Sequence, residues 1–362
     1  MKKPFLTAAM RRACRAFTLV EMLISIAVLT LIILIVTQLA TYSAAVSRSG
    51  SKHIDTDTQG RVVLDRMAID FAQMLKRSDV DCYLKGPTNY NGHGNGHAYG
   101  KKVQTGQQGS DQIAFFGQAP GYNQATGTPS PISLVAYRVN QSTSANPSYL
   151  MLERLGKGLP WNGSTNASNN NFAYPIVFLD SASPPTMTIA NIWPYAVKND
   201  SSNNSKDSAY ETVGPGVLRF EYYYLLKNGT LTDVPWDKNA RPAQTTLTNP
   251  VRIGLIDVQA IVVTFAAIDP ASRALINAAG ATSLFDLASD MADFKTAPGR
   301  GVGGAKKTGD LENYWKGVLF GDAGLGLPGV VNTGLTSNNT PVPPAAASAI
   351  RIYSRYIDLR TF

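Results

Sequence analysis

The order of apolar and polar positions divides the chain into three parts. From Phe17 to Val36 it reads FTLVEMLISIAVLTLIILIV, 20 residues of which 16 are apolar. As a helix such a run rises about 30 Å, the thickness of a bilayer's hydrocarbon core. Glu21 interrupts it. A carboxylate at membrane depth costs about 2.5–3.5 kcal/mol on insertion scales unless it is paired or has a task.

The second part continues the same helix. No proline occurs between Pro4 and Pro87, so a single helix can run from Phe17 to about Lys76. Gly50 and Gly60 are its expected weak points, and SKHIDTDTQ between them, polar all round, reads as a melted segment or a solvated connector. Beyond Gly60, Leu64, Met67, Ala68, Phe71, Met74 and Leu75 share one helical face. Arg61, Asp65, Arg66, Asp70, Gln73 and Lys76 take the other. That spacing predicts an apolar stripe packed on a sheet.

The third part is rich in strand signals. Ser133–Val139 and Tyr149–Leu155 are short strand-like runs. Val217–Tyr224 alternates, with Leu218, Phe220, Tyr222 and Tyr224 on one face and Arg219 and Glu221 on the other. Asn228-Gly229 supplies a hairpin turn. Val258–Ile268 is almost continuously apolar and suits a strand buried on both faces. Ile350–Leu359 is the expected last strand. Helical spacing returns over about 272–295 and at Glu312–Leu319, and the Asn/Ser-rich stretches 162–171 and 199–207 read as mobile loops. The expected class is therefore α+β, a long N-terminal helix on an antiparallel β-rich domain. Its expected boundaries are a basic leader at 1–16, a transmembrane helix at 17–40, its extracytoplasmic continuation at 41–76 and the globular part at 77–362.

The net charge of +8 changes meaning once it is located. Lys2, Lys3, Arg11, Arg12 and Arg15 precede the apolar run without an acid among them. The remainder holds 28 basic and 25 acidic residues, a net +3, which points to no nucleic-acid partner. The leader's charge instead holds the N-terminus in the cytoplasm and sends the chain beyond the helix outward. No second apolar stretch of spanning length occurs, so a single pass is expected. Of two cysteines, Cys14 lies in the leader and Cys82 beyond the helix. Cys82 reads as a small buried hydrophobe.

A secretory signal peptide would place its small-residue cleavage site after a shorter apolar run. Here the small residue, Ala16, comes before the run and after Arg11, Arg12 and Arg15. Phe17-Thr-Leu-Val-Glu21 then resembles, position by position, the type III signal of type IV prepilins and pseudopilins. That resemblance implies cleavage by a membrane aspartyl peptidase between Ala16 and Phe17, N-methylation of Phe17, and an assembly role for Glu21. Ala16 departs from the glycine that usually precedes the cut.

A narrower resemblance extends along the chain. J-type minor pseudopilins of type II secretion and PilW-like minor pilins carry a QxR, M and DF pattern on the amphipathic half-helix, matched here by Gln59, Arg61, Met67, Asp70 and Phe71. An FxYY strand comes next at Phe220, Tyr222 and Tyr223, then Trp236, then Pro250-Val251-Arg252, then Arg351, Tyr353 and Arg355. Long insertions near 90–130 and 270–345 exceed the usual J-type length. The chain is also similar to the prepilin-like Verru_Chthon cassette proteins, in particular the C member.

Patterns that suggest chemistry are weaker. Gly299, Gly301 and Gly304 satisfy G-x-G-x-x-G, but no strand precedes them and Ala305 replaces the glycine a phosphate loop needs before its lysine. His93 and His97 lie four apart in NYNGHGNGHAYG, where glycine excludes a helix and further zinc ligands are missing. Asp79 and Asp81 are candidate calcium ligands, as in some pseudopilins, against a plain surface reading. No catalytic motif stands out and no small-molecule substrate is expected. The sequence reading is thus a non-enzymatic, single-pass inner-membrane subunit with its globular part in the periplasm or outside the cell. Its expected partners are prepilin peptidase and other pilin-like subunits, with no cofactor required. Two rivals remain, an adhesive or DNA-uptake minor pilin and a membrane-tethered extracytoplasmic enzyme.

Overall fold

The computed structural model describes residues 18–76, 86–87, 109–118, 121–123, 128–130, 132–141, 147–158, 210–233, 235, 237, 255–293 and 306–359. Ala16, Phe17, Asp79, Asp81, Cys82, His93, His97, Trp236, Pro250, Val251, Arg252, the glycines 299–304 and both Asn/Ser-rich stretches lie outside them. The chain divides into two compact units, Met1–Lys52 and His53–Phe362. Helix α1, Leu19–Ala72, contributes to both.

The architecture is α+β, an apolar N-terminal helix followed by antiparallel sheets. Strands β1 (Gly86–Pro87), β2 (Asp111–Gly117), β3 (Gly121–Asn123), β4 (Thr128–Ser130), β5 (Ser133–Val139), β6 (Leu152–Gly158) and β7 (Tyr210–Gly214) form one sheet in the order β1-β2-β5-β6-β3-β4, with β7 also on β6. Among these pairings only β3 with β6 is parallel. The second sheet runs β11-β10-β8-β9, built from β8 (Val217–Leu226), β9 (Leu231–Thr232), β10 (Val258–Ala267) and β11 (Arg351–Asp358). Between β10 and β11 lie α2 (Pro270–Ala279), α3 (Ser283–Asp290), α4 (Asp310–Phe320) and the short α5 (Val330–Thr333) and α6 (Pro344–Ala347). The helical spacing over 272–295 thus resolves into two helices parted at Gly280. Asp269 caps α2, accepting from the amides of Ala271 and Ser272 at 3.1 and 3.0 Å, with Pro270 in the first turn.

Several sequence expectations need revision. The backbone is helical from Gly50 through Gly60, so SKHIDTDTQ is neither melted nor a break. Gly60 is instead a point of close approach, since a Cβ there would lie 3.0 Å from the Tyr353 ring of β11. Strand β8 keeps Arg219 and Glu221 on one face, as its alternation predicts, and that face is covered. Both are fully buried and pair at 2.7 Å, while Leu218, Phe220, Tyr222 and Tyr224 are buried on the other face. The alternation was real, but both faces are covered. At Gly229 the hairpin from β8 to β9 takes a left-handed φ of 82°, as its Asn-Gly sequence predicts.

The two sheets share one core with the second half of α1. Val63, Leu64, Met67, Phe71 and Met74 are buried with Ile113, Phe115, Tyr137, Leu152, Val217 and Phe265. The Phe71 ring meets Phe115 edge-on at 5.4 Å and Tyr137 at 6.3 Å. Past Ala72 the chain joins the end of β2, with the Leu75 amide donating to the Phe116 carbonyl and the Gln118 amide to that of Gln73, each at 2.9 Å. The sheets are tied through backbone donors of β8. Its Phe220 amide donates to the Ser110 hydroxyl at 3.3 Å and its Tyr222 amide to Asp111 at 3.2 Å, which satisfies N–H groups that would otherwise be buried without partners.

Candidate functional site

The N-terminal end of α1 is built from a T-x-x-E sequence, Thr18-Leu19-Val20-Glu21. The Thr18 hydroxyl oxygen accepts from the Glu21 amide at 3.2 Å, and Glu21 Oε2 accepts from the Thr18 amide at 3.0 Å and its hydroxyl at 2.9 Å. This reciprocal pair is a capping box, which satisfies amide donors that the first helical turn leaves without partners. The signal was legible in TLVE, but reading Glu21 as an intruder in an apolar run concealed it. Both bonds fall on Oε2, so Oε1 takes no part in the cap.

The other polar residues of the run are accommodated locally. The hydroxyls of Ser25, Thr30 and Thr37 donate to the carbonyls of Glu21, Ile26 and Ile33, each at 2.7 Å. Such back-bonding lets a hydroxyl lie in an apolar medium without losing a partner. Every Leu, Ile, Val and Met from Leu19 to Leu39 is at least 50% exposed. Water would penalise that surface on all sides of the helix, so an apolar surrounding must cover it.

Residues 11–37 match the family described as prokaryotic N-terminal methylation motif. The chain carries a type IV pilin-like prepilin signal. The match spans Arg11, Arg12 and Arg15, the junction after Ala16, Glu21 and the whole apolar run to Val36, and it marks a precursor of the kind processed by prepilin peptidase. With the candidate membrane span Leu19–Ala44, it describes a membrane-anchored protein. Comparison with curated proteins and with solved structures found no match.

A second polar arrangement lies where α1 meets the first sheet. Its spacing puts Asp70 on the polar face of the helix, opposite the apolar stripe, yet it is 1% exposed. Arg154 of β6 grips it with two donors, Nε to Oδ2 at 2.7 Å and Nη2 to Oδ1 at 3.1 Å. The Tyr137 hydroxyl of β5 donates to Oδ2 at 2.5 Å, and Arg66, one turn earlier on α1, stands 3.6 Å from the same oxygen. Burial, reinforced by the Asp70 charge, raises the Tyr137 pKa above the ordinary phenol value. Burial works against the Arg154 charge, but its bonds to Asp70 more than offset this and its pKa is raised as well. The phenol therefore stays a donor and the guanidinium a cation at any ordinary pH. Chemically the cluster is a fixed pin between helix and sheet.

Elsewhere on the globular unit, Tyr353 donates to Asp57 at 2.5 Å and Arg355 to Asp65 at 2.5 Å, joining β11 to α1. The Arg-Tyr-Arg segment near the C-terminus, read only as a family pattern in the sequence, thus contacts the acidic face of the helix. Among α3, α4 and the loops around α5 lies an open cavity of about 540 Å³, lined in part by Asp290, Tyr314, Val330, Ser337 and Asn338. Among the described residues, no group of three or more His, Cys, Asp and Glu could hold a metal ion.

Proposed function

We propose that the protein is a non-enzymatic minor pseudopilin or pilin-like subunit. In this reading prepilin peptidase cuts between Ala16 and Phe17, the new N-terminus of Phe17 is methylated, and α1 packs into a short filament of a type II secretion pseudopilus or a type IV pilus-like fibre. The observation that carries the reading is the coincidence of the prepilin signal with a helix whose apolar surface is open on every side. In a filament, neighbouring helices replace lipid around that surface. The Glu21 carboxylate then pairs with the α-amino group of Phe17 on an adjacent subunit, so that two groups costly to bury alone are satisfied together and the axial register is set.

The capping box sharpens the test. Glutamine preserves the reciprocal cap at this position but carries no charge, whereas valine removes both. If the charge drives assembly, Glu21→Gln and Glu21→Val are both inserted and cleaved, yet neither crosslinks to the major pilin-like subunit of the same cell. If Glu21 serves only the helix end, Glu21→Gln assembles normally and the proposed pairing is wrong.

A further inference from the structure

The second sheet holds a polar cluster that the assembly reading does not use. Lys306, just before α4, places Nζ 3.1 Å from Oδ1 and 3.4 Å from Oδ2 of Asp293, just after α3. The Asp293 side chain is wholly buried and that of Lys306 is 6% exposed. A second carboxylate, Asp233, stands 3.6 Å from the same nitrogen. The ammonium lies over the Tyr223 ring, 4.2 Å from its centroid, and the Tyr223 hydroxyl donates to Asp293 Oδ1. Leu231, Val262 and Leu311 line the adjoining cavity of about 10 Å³, a space on the scale of one water molecule.

Two features separate this arrangement from an ordinary ion pair. Two carboxylates face one amine, so that besides Asp293 a second oxygen base, Asp233, stands beside Nζ where it can carry a proton. The Tyr223 donor also sits where negative charge would develop if the Asp293 carbonyl carbon were attacked, the role that a preoriented hydrogen bond plays in acyl transfer. Nucleophile, electrophile, proton carrier and oxyanion donor are thus together in a largely dry site.

We propose that Lys306 and Asp293 condense spontaneously after folding into an intramolecular isopeptide bond. Nζ forms a bond to Cγ of Asp293, and the bond from Cγ to Oδ2 breaks. Of the three ammonium protons one remains on the amide nitrogen. The other two reach the departing oxygen, one directly and one by way of Asp233, and leave with it as water. The charges of ammonium and carboxylate cancel, and no oxidant or other reactant is needed. The product replaces a buried ion pair, whose desolvation is expensive, with a neutral amide. It also ties Asp293 to Lys306 covalently in a chain whose two cysteines, Cys14 and Cys82, leave only one beyond the prepilin signal.

Mass spectrometry of the full protein, purified from its own membranes and digested after denaturation, tests this directly. The expected result is a branched peptide joining the segments that contain Asp293 and Lys306, lighter than their sum by one water, with no tryptic cut after Lys306. In Asp293→Asn the same bond should form with loss of ammonia instead, and in Asp233→Asn it should form at least tenfold more slowly. Lys306→Arg, which retains the cation, should show no link. Recovery of the native protein with unlinked Asp293 and Lys306 peptides overturns the proposal, whatever the variants do.

Discussion

Asp70 and Arg154 are joined by two parallel hydrogen bonds across the boundary between α1 and β6. Arg154 is 6% exposed and Asp70 1%, so neither can turn to water if its partner is lost. Within the His53–Phe362 unit, the last turns of α1 are therefore fixed to the first sheet by a charge pair as well as by their apolar stripe.

Asp70→Asn should destabilise the globular unit by about 3–5 kcal/mol, because it removes the buried carboxylate of the pair and leaves Arg154 only the exposed Glu211, 3.3 Å from its Nη1. Replacing both residues with apolar ones of similar volume, as in Asp70→Leu with Arg154→Met, should cost less than the single change. Denaturant unfolding of the detergent-solubilised protein, read at tryptophan fluorescence, gives both values. Equal stability of Asp70→Asn and wild type would show that the pair contributes nothing.

The same cluster predicts an alkaline limit. Burial first, and the Asp70 charge second, raise the Tyr137 pKa in the folded state. Below about pH 10, the ordinary tyrosine value, the phenol is neutral whether folded or unfolded and its contribution is fully present. Above that pH the unfolded chain ionises while the folded one resists, so stability falls as pH rises. Tyr137→Phe should be less stable at pH 8 and should decline less steeply between about pH 9.5 and 11. Parallel slopes would place the alkaline loss elsewhere, for example at Tyr353, whose pKa burial and Asp57 also raise.

Phe71 carries the packing side of the same junction. It is fully buried against Phe115 and Tyr137, and Phe71→Ala should cost about 3–5 kcal/mol. A fragment beginning near Gly50 keeps every residue of the shared core and should fold without the apolar segment. A cooperative unfolding transition for that fragment, lowered by Phe71→Ala, is the expected outcome, and an unfolded fragment would contradict it.

Much of this fold was readable because its period was local. The Leu64, Met67 and Phe71 stripe, the β10 run and the Asn228-Gly229 turn each declare themselves within a few residues. Asp70 and the Arg219–Glu221 pair did not, because their burial depends on partners far along the chain or on a layer covering the second face. Gly60 was misread for a related reason. A glycine inside a helix costs about 1 kcal/mol relative to alanine, but the opposing Tyr353 ring cannot be inferred from the helix sequence. Thr18 and Glu21 are the opposite case, a local motif overlooked because the apolar run around them had a stronger claim.

Gly60→Ala tests that reinterpretation. Helix propensity alone favours alanine by about 1 kcal/mol. The added Cβ, however, would sit 3.0 Å from a ring whose hydroxyl is held by Asp57. The expected result is a lower melting temperature in Gly60→Ala that Tyr353→Leu in the same chain restores. A stabilised single variant would mean that the ring yields without cost.

Processing between Ala16 and Phe17 is the step on which the proposed roles of Phe17 and Glu21 depend, and sequencing the mature N-terminus by mass spectrometry tests it most directly. Protein isolated from its own cells should begin at Phe17 and carry one added methyl group on the α-amino nitrogen. A chain that still begins at Met1, or that begins beyond Val36, would contradict the reading of the protein as a processed pilin-like subunit.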